Sequence, residues 1–247
     1  MKTKVFSIYI LFFVLMLGGC TNDNLEVNGP INTKALANAA DFGLTRPDDA
    51  YNYPVLPGSD KWKTFSSLDE KTKACEISET LLKKMSNEAL AFAWLEYPLL
   101  SDWIFMNNLS DFFVNKPSEM NLYKEMSKRE GMSHTLVQFL FQAKVDTSNY
   151  HTKIMWQGLE LICAQKEFIS GYSKEEMKQI VDKFSNIDFN ETLLNPDFYL
   201  LASILNYYGL FEGDDALQYA IEHGEFSNTE GDTVKNKIPE FYKIIEQ

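Results

Sequence analysis

Arginine and histidine are scarce in this chain. Arg46 and Arg129 are its two arginines, and its three histidines, His134, His151 and His223, are scattered along the sequence. No stripe of lysine and arginine follows the chain, and nucleic-acid recognition requires such a stripe. The net charge of −12 also opposes adhesion to anionic lipid. The lack of a basic stripe and the negative net charge exclude a protein that binds nucleic acid.

Several motifs that carry chemistry are missing as well. The sequence has no His-Glu-x-x-His, no Cys-x-x-Cys and no glycine-rich loop that could cradle a phosphate. It also lacks the Gly-x-Ser-x-Gly of a serine nucleophile. We therefore expect no metal site and no cofactor.

Cysteine occurs three times, too rarely for a disulfide framework. Cys163 lies within a strongly apolar helical pattern, and Cys75 lies near the end of another. The pattern favours two buried free thiols. A bridge between them remains the alternative, because an exported compartment permits disulfides.

The third cysteine, Cys20, follows a targeting segment at residues 1–19. Lys2 and Lys4 precede an apolar run over residues 5–16, which is too short for a comfortable membrane span. The sequence Leu-Gly-Gly-Cys at 17–20 resembles the lipobox of bacterial lipoproteins, which implies that Cys20 is acylated and anchors the protein in a membrane. An ordinary secretory signal with a chance cysteine is the alternative.

The resemblance also bears on localisation. Residue 21 is Thr rather than Asp, and by analogy with enteric sorting this favours the outer membrane over the inner one. We expect an exported, lipid-anchored protein whose face, periplasmic or surface, stays open. Besides the membrane that holds its anchor, the protein is predicted to have a protein, a peptide or a glycan as its binding partner.

The chain is predicted to divide into three parts. A signal peptide occupies 1–19, the acylated cysteine and a flexible tether occupy 20–58, and one helical domain occupies 59–247. Turn-forming residues dominate the tether. Its last residues, 53–58, are expected to lie on the domain where the chain enters it.

The domain itself is predicted to be all-α, an irregular arrangement of about nine or ten helices. Helix caps recur and no strand alternation is present. Residues 89–95 and 198–208 are apolar on nearly every side, as buried helices are. Pro98 is expected to end the first of these helices in a sharp corner.

The corner carries the candidate site residues. Glu96 and Asp102 flank Pro98, and a carboxyl group in apolar surroundings can act as a general acid, so they are weak catalytic candidates for glycoside hydrolysis. Tyr97, Trp103 and Phe105 are candidate binding anchors, because aromatic side chains dominate interface hot spots. The competing interpretation places these carboxylates on a solvated edge and these aromatics in the core.

One stretch resembles a family. Met-Ser-Asn-Glu-Ala-Leu at 85–90, Tyr-Pro-Leu-Leu at 97–100 and Asp102 are similar to a pattern in exported proteins of gut Firmicutes and Bacteroidetes. A lead-in with Tyr53, Pro54, Pro57, Gly58 and Trp62 is similar too. Asn87 replaces the usual Thr. The resemblance covers under a quarter of the chain and implies only that the relatives are exported and helical.

The sequence thus leaves two classes of function. The first is a lipid-anchored binding module of the cell envelope, and the second is a small hydrolase that acts on an envelope polymer or polysaccharide with paired carboxylates. The first is favoured, because no motif with fixed catalytic spacing is present.

Overall fold

Several helices in this protein begin where a serine, aspartate or asparagine side chain accepts a hydrogen bond from the first turn. Ser67, Ser86 and Ser173 accept from the backbone N–H three residues later, at 3.1–3.2 Å. Asp214 does the same at 3.1 Å from Leu217. Each such cap satisfies a backbone donor that the helix itself leaves unpaired.

The computed structural model describes residues 42–100, 119–146, 149–186, 196–224 and 226–247, without the side chains of 150, 196 and 197. These residues form twelve α-helices. They are α1 (Asp60–Lys63), α2 (Leu68–Ala74), α3 (Glu79–Leu82), α4 (Asn87–Leu95), α5 (Asn121–Met126), α6 (Met132–Gln142), α7 (Tyr150–Cys163), α8 (Lys166–Ile169), α9 (Lys174–Phe184), α10 (Pro196–Tyr207), α11 (Asp215–His223) and α12 (Asn228–Ile245).

The all-α prediction is confirmed, since no strand occurs among these residues. The helices are somewhat more numerous than the nine or ten expected. One reason is that the apolar pattern of residues 151–168 predicts one long helix, whereas the structure divides it at Gln165 into α7 and α8. Helix α12 begins at Asn228, although the polar residues 225–231 predict a loop, because Ser227 and Glu230 form a capping box. This earlier start lengthens the helix without adding to the number of helices.

Two helices, α7 and α10, lie at the centre of the described part. Helix α10 packs against α7, α8, α9, α11 and α12, and α7 packs in turn against α4, α6 and α8. Helix α4 is buried from Ala89 to Leu95, and α10 has Phe198 and the run from Leu200 to Leu205 buried. Apolar residues on every side of a helix leave no solvated face.

Helix α4 joins this centre through Trp94 and Gly158. The indole Nε1 of Trp94 donates to the Gly158 carbonyl at 3.0 Å. A Cβ at position 158 would lie 2.8 Å from Cδ2 of Leu100, so glycine is what lets the two segments approach. The contact fixes the end of α4 against the middle of α7.

The packed part of the chain begins earlier than predicted. Phe42, Leu44 and Tyr53 are buried in the core. Residues 53–58 were expected to lie on the domain, whereas residues 42–52 were expected to belong to the flexible tether. We call residues 42–58 the strap. Packing therefore begins at or before residue 42, the first residue that the structure describes, rather than at residue 59.

Candidate functional site

The Pro98 corner lies beneath the strap. Helix α4 ends at Leu95, Glu96 is its C-cap, and the Leu100 N–H donates to the Tyr97 carbonyl at 3.0 Å across Pro98. The hydroxyl of Tyr53, in the strap, donates to the Ala93 carbonyl at 2.9 Å. The strap therefore covers the corner.

Glu96 is held by Arg46 of the strap. The guanidinium contacts both carboxylate oxygens, and the Glu96 side chain is 14% exposed. Nη2 of Arg46 also donates to the Tyr51 carbonyl and to Oδ1 of Asn52, each at 3.0 Å. A carboxylate bound by a guanidinium accepts strong charge-assisted hydrogen bonds. Glu96 therefore attaches the strap to the end of α4 through this ion pair.

Tyr97 is buried, with 4% of its surface exposed. Its ring meets that of Tyr53 edge to face at 5.9 Å, and Tyr53 meets Tyr51 in the same way at 5.0 Å. Burial raises the pKa of the Tyr97 phenol well above its ordinary value. Tyr97 contributes to the core under the strap, and a partner could reach it only if the strap moved.

The other site residues predicted from the sequence lie outside the described residues. These are the catalytic candidate Asp102, the binding candidates Trp103 and Phe105, and the lipidation candidate Cys20. The structure accordingly brings Glu96 and Tyr97 together at the corner and leaves the rest of the predicted site a prediction.

Cys75 and Cys163 are both buried and free, which agrees with the prediction of free thiols. Burial raises the pKa of each thiol to about 12. For Cys75 the neighbouring Glu76 carboxylate adds to the effect. Because the thiolate is the nucleophilic form, neither side chain is poised for covalent chemistry at neutral pH.

The histidines take separate positions. His134 on α6 contacts the carboxylate of Glu176 in the first turn of α9. Burial opposes ionisation of Glu176, yet the hydrogen bonds it accepts from Ser173 and His134 outweigh that effect and lower its pKa. In the described part of the chain, no three His, Cys, Asp or Glu side chains are grouped so that they could hold a metal ion.

Solvent-exposed aromatic rings occur elsewhere, on α10 and α11. Tyr219 is 56% exposed and Tyr207 is 42% exposed. His223 stacks on Tyr219 with ring centroids 3.9 Å apart, and Tyr208 lies edge to face with Tyr207 at 5.7 Å. We call these four residues the aromatic surface.

An amide pair ties the two helices of the aromatic surface together. Nε2 of Gln218 donates to Oδ1 of Asn206 at 2.9 Å and to the Phe211 carbonyl at 3.2 Å. Gln218 immediately precedes Tyr219, and Asn206 immediately precedes Tyr207. Tyr207 and Tyr219 were not predicted from the sequence to be site residues. The apolar residues Leu217, Ala220 and Ile221 nevertheless define the buried face of α11 and leave Tyr219 on the exposed face.

Comparison with known proteins adds no relative. No protein-family model matches the chain, and no curated protein or solved structure is similar to it at a significant level. Among the described residues, no helix combines the length and the apolar character that crossing a membrane requires.

Proposed function

We propose that this protein is a lipid-anchored binding module of the cell envelope. Support for the anchor is the apolar leader and the Leu-Gly-Gly-Cys sequence at 17–20. Support for binding is the aromatic surface, which holds two of the three most exposed aromatic rings among the described residues, the third being Phe141 on α6. That exposure is the observation that carries the proposal.

The charge around the aromatic surface favours a basic partner. The sequence from Phe184 to Val234 has no lysine and no arginine, and it includes both helices of the surface. Its ten acidic residues are Asp188, Glu191, Asp197, Glu212, Asp214, Asp215, Glu222, Glu225, Glu230 and Asp232. A field of one sign attracts groups of the other sign and speeds their association.

The spacing on α11 suits a cationic side chain. Asp215 lies four residues before Tyr219 and Glu222 lies three residues after it, so the three share one face of the helix, and all three are exposed. A lysine or arginine can place its charge over the tyrosine ring between the two carboxylates. We infer that the partner is a polypeptide segment rich in lysine and arginine.

The test is binding of a fluorescent oligolysine peptide to the full chain in detergent. Tyr219→Ala is expected to weaken binding roughly two- to fivefold, the worth of an exposed cation–π contact. Asp215→Asn combined with Glu222→Gln should weaken it by a similar factor and flatten its dependence on salt. The matched control is Asp69→Asn with Glu175→Gln, which removes two exposed carboxylates elsewhere.

Two outcomes would contradict this assignment. Equal weakening by the control pair would mean that the peptide senses only the net charge. Binding of a neutral oligosaccharide with no binding of oligolysine would make the module a glycan binder.

The hydrolase alternative loses support from the Arg46–Glu96 pair, because Glu96 is engaged within the fold. It is tested by assaying envelope polymers for turnover with the wild type and with Glu96→Gln and Asp102→Asn. Turnover that either variant abolishes without unfolding would replace the binding module with an enzyme.

The anchor is tested separately by fractionation. The wild type is expected in the membrane fraction after a high-salt wash, and Cys20→Ala is expected in the soluble fraction. Retention of the variant on membranes would show that something other than a lipid at Cys20 holds the protein there.

A further inference from the structure

Glu160, near the end of α7, is buried. Its exposed fraction is 0%, and among the described residues neither Oε1 nor Oε2 has a hydrogen-bond partner. Its neighbours along the helix, Leu159, Leu161, Ile162 and Cys163, are buried as well. The proposed function makes no use of this carboxyl group.

A carboxylate ion in this position is costly. Transfer of an unpaired ion from water into an apolar interior costs far more than transfer of the neutral acid. Buried carboxylates are normally accompanied by a cation or by several hydrogen-bond donors. Without either, burial favours the protonated form of the group.

The described residues around Glu160 supply no such partner. The ionisable side chains described on α7 and on the helices around it are His151, Lys153 and Cys163 on α7, Glu88 and the C-cap Glu96 on α4, His134 on α6, Lys166 and Glu167 on α8, Lys174, Glu175, Glu176, Lys178, Asp182 and Lys183 on α9, and Tyr199 and Tyr207 on α10. No hydrogen bond or ion pair joins any of these described groups to Glu160.

One cation beside α7, Lys183, is already engaged. Nζ of Lys183 lies 4.6 Å from the centroid of the Trp156 ring, one turn before Glu160 on α7. It donates to the Leu140 carbonyl at 2.7 Å. The ammonium group is thus held by α6 and by an aromatic ring.

We propose that Glu160 is a neutral carboxylic acid in the folded protein. Its ionisation at higher pH then lowers the free energy of unfolding of the helical core. The residue lies on one of the two central helices, so the effect acts on the whole domain. In the unfolded chain a glutamate has a pKa of about 4.3. Its stabilising contribution is therefore complete below about pH 4 and is lost as pH rises through the higher pKa of the folded state.

The test compares the wild type with Glu160→Gln, which keeps the shape of the side chain and cannot ionise. Urea unfolding of the full chain in detergent is measured at a series of values from about pH 5 to about pH 8. Relative to the variant, the unfolding equilibrium constant of the wild type should rise roughly tenfold per pH unit between the two pKa values. Glu246→Gln, an exposed carboxylate of the last turn, is the control and should follow the wild type.

A direct measurement keeps the proposal testable if Glu160→Gln fails to fold. Infrared difference spectra of the folded wild type should show the carbonyl stretch of a protonated carboxylic acid at neutral pH, and Glu160→Met should lack it. Parallel pH profiles for the wild type and Glu160→Gln, or a wild-type spectrum without that band, would overturn the proposal.

Discussion

Trp94 shows how one side chain joins two segments of the core. It is fully buried, and its indole N–H is satisfied by the Gly158 carbonyl. Because Gly158 has no side chain, the backbone of α7 can approach Leu100 and the end of α4 closely. The tryptophan thus contributes apolar burial and a buried hydrogen bond at the same place.

Truncation of this side chain should be costly. We expect Trp94→Ala to lower the free energy of unfolding by about 3–5 kcal/mol, because it empties a large buried site and removes a buried hydrogen bond. Urea unfolding followed by circular dichroism measures the change. Trp62→Ala, at a half-buried tryptophan, is the control and should cost less. A loss at Trp94 below about 1 kcal/mol, the range of surface substitutions, would contradict its burial.

Residue patterns predicted which side chains are buried better than they predicted the role of each. The run from Ala89 to Leu95 is apolar on every side, so its burial was readable from the sequence. Tyr97 was selected as an exposed anchor and is covered, because the strap that roofs it comes from a distant part of the chain. The burial of Glu160 was not predicted from the sequence, since burial of a single carboxyl group depends on all of its neighbours in the fold.

Among the elements, residues 42–52 of the strap are the segment that sequence reasoning missed, whereas residues 53–58 were expected to lie on the domain. The strap has prolines and turn formers without a helical or strand period, so its first part was predicted to be a tether. Its attachment depends on individual contacts, namely Arg46 with Glu96, Asp49 with Ser86, and Tyr53 with Ala93. Contacts between residues far apart in sequence leave no periodic signal.

Asp49 provides a measurable link between the strap and α4. Its carboxylate accepts from the Ser86 N–H at 2.6 Å and from the Ser86 hydroxyl at 3.0 Å. The backbone hydrogen bond is the main cause that lowers the pKa of Asp49. Ser86 is also the N-cap of α4, so the two residues begin that helix together.

The stabilising effect of Asp49 should therefore disappear in acid. A lowered pKa contributes stability above the ordinary aspartate value of about 3.9, and this contribution is lost as pH falls through the folded value. Asp49→Asn should be less stable than the wild type at pH 7, and the difference should shrink below about pH 4. Thermal unfolding at both pH values measures it. Asp48→Asn, at the adjacent exposed residue, is the control, and a difference that persists in acid would contradict the assignment.

For the whole molecule, the position of the first packed residue decides where a stable fragment begins. The sequence predicted residue 59, and the burial of Phe42, Leu44 and Tyr53 places the first packed residue at or before residue 42. Each large apolar side chain contributes about 1.5–3 kcal/mol when it is fully buried. Ordering the strap offsets part of that gain.

A fragment of residues 42–247 should be more stable than one of residues 59–247. We expect the shorter fragment to lose at least about 2 kcal/mol of unfolding free energy. Both should give far-UV circular dichroism dominated by helix. Equal urea midpoints would show that the strap adds nothing to the fold.

The strap also has a consequence for the order in which the molecule is completed. It is synthesised before every helix of the domain, yet Tyr53 bonds to a residue 40 positions later, Arg46 to one 50 positions later, and the ring of Phe42 rests against Trp156. Pairing of such distant residues is slow, because the intervening chain must first be drawn together. During synthesis, Phe42 therefore lacks its contact with Trp156 until residue 156 has been made. The segment that is made first is completed only by residues that are made much later.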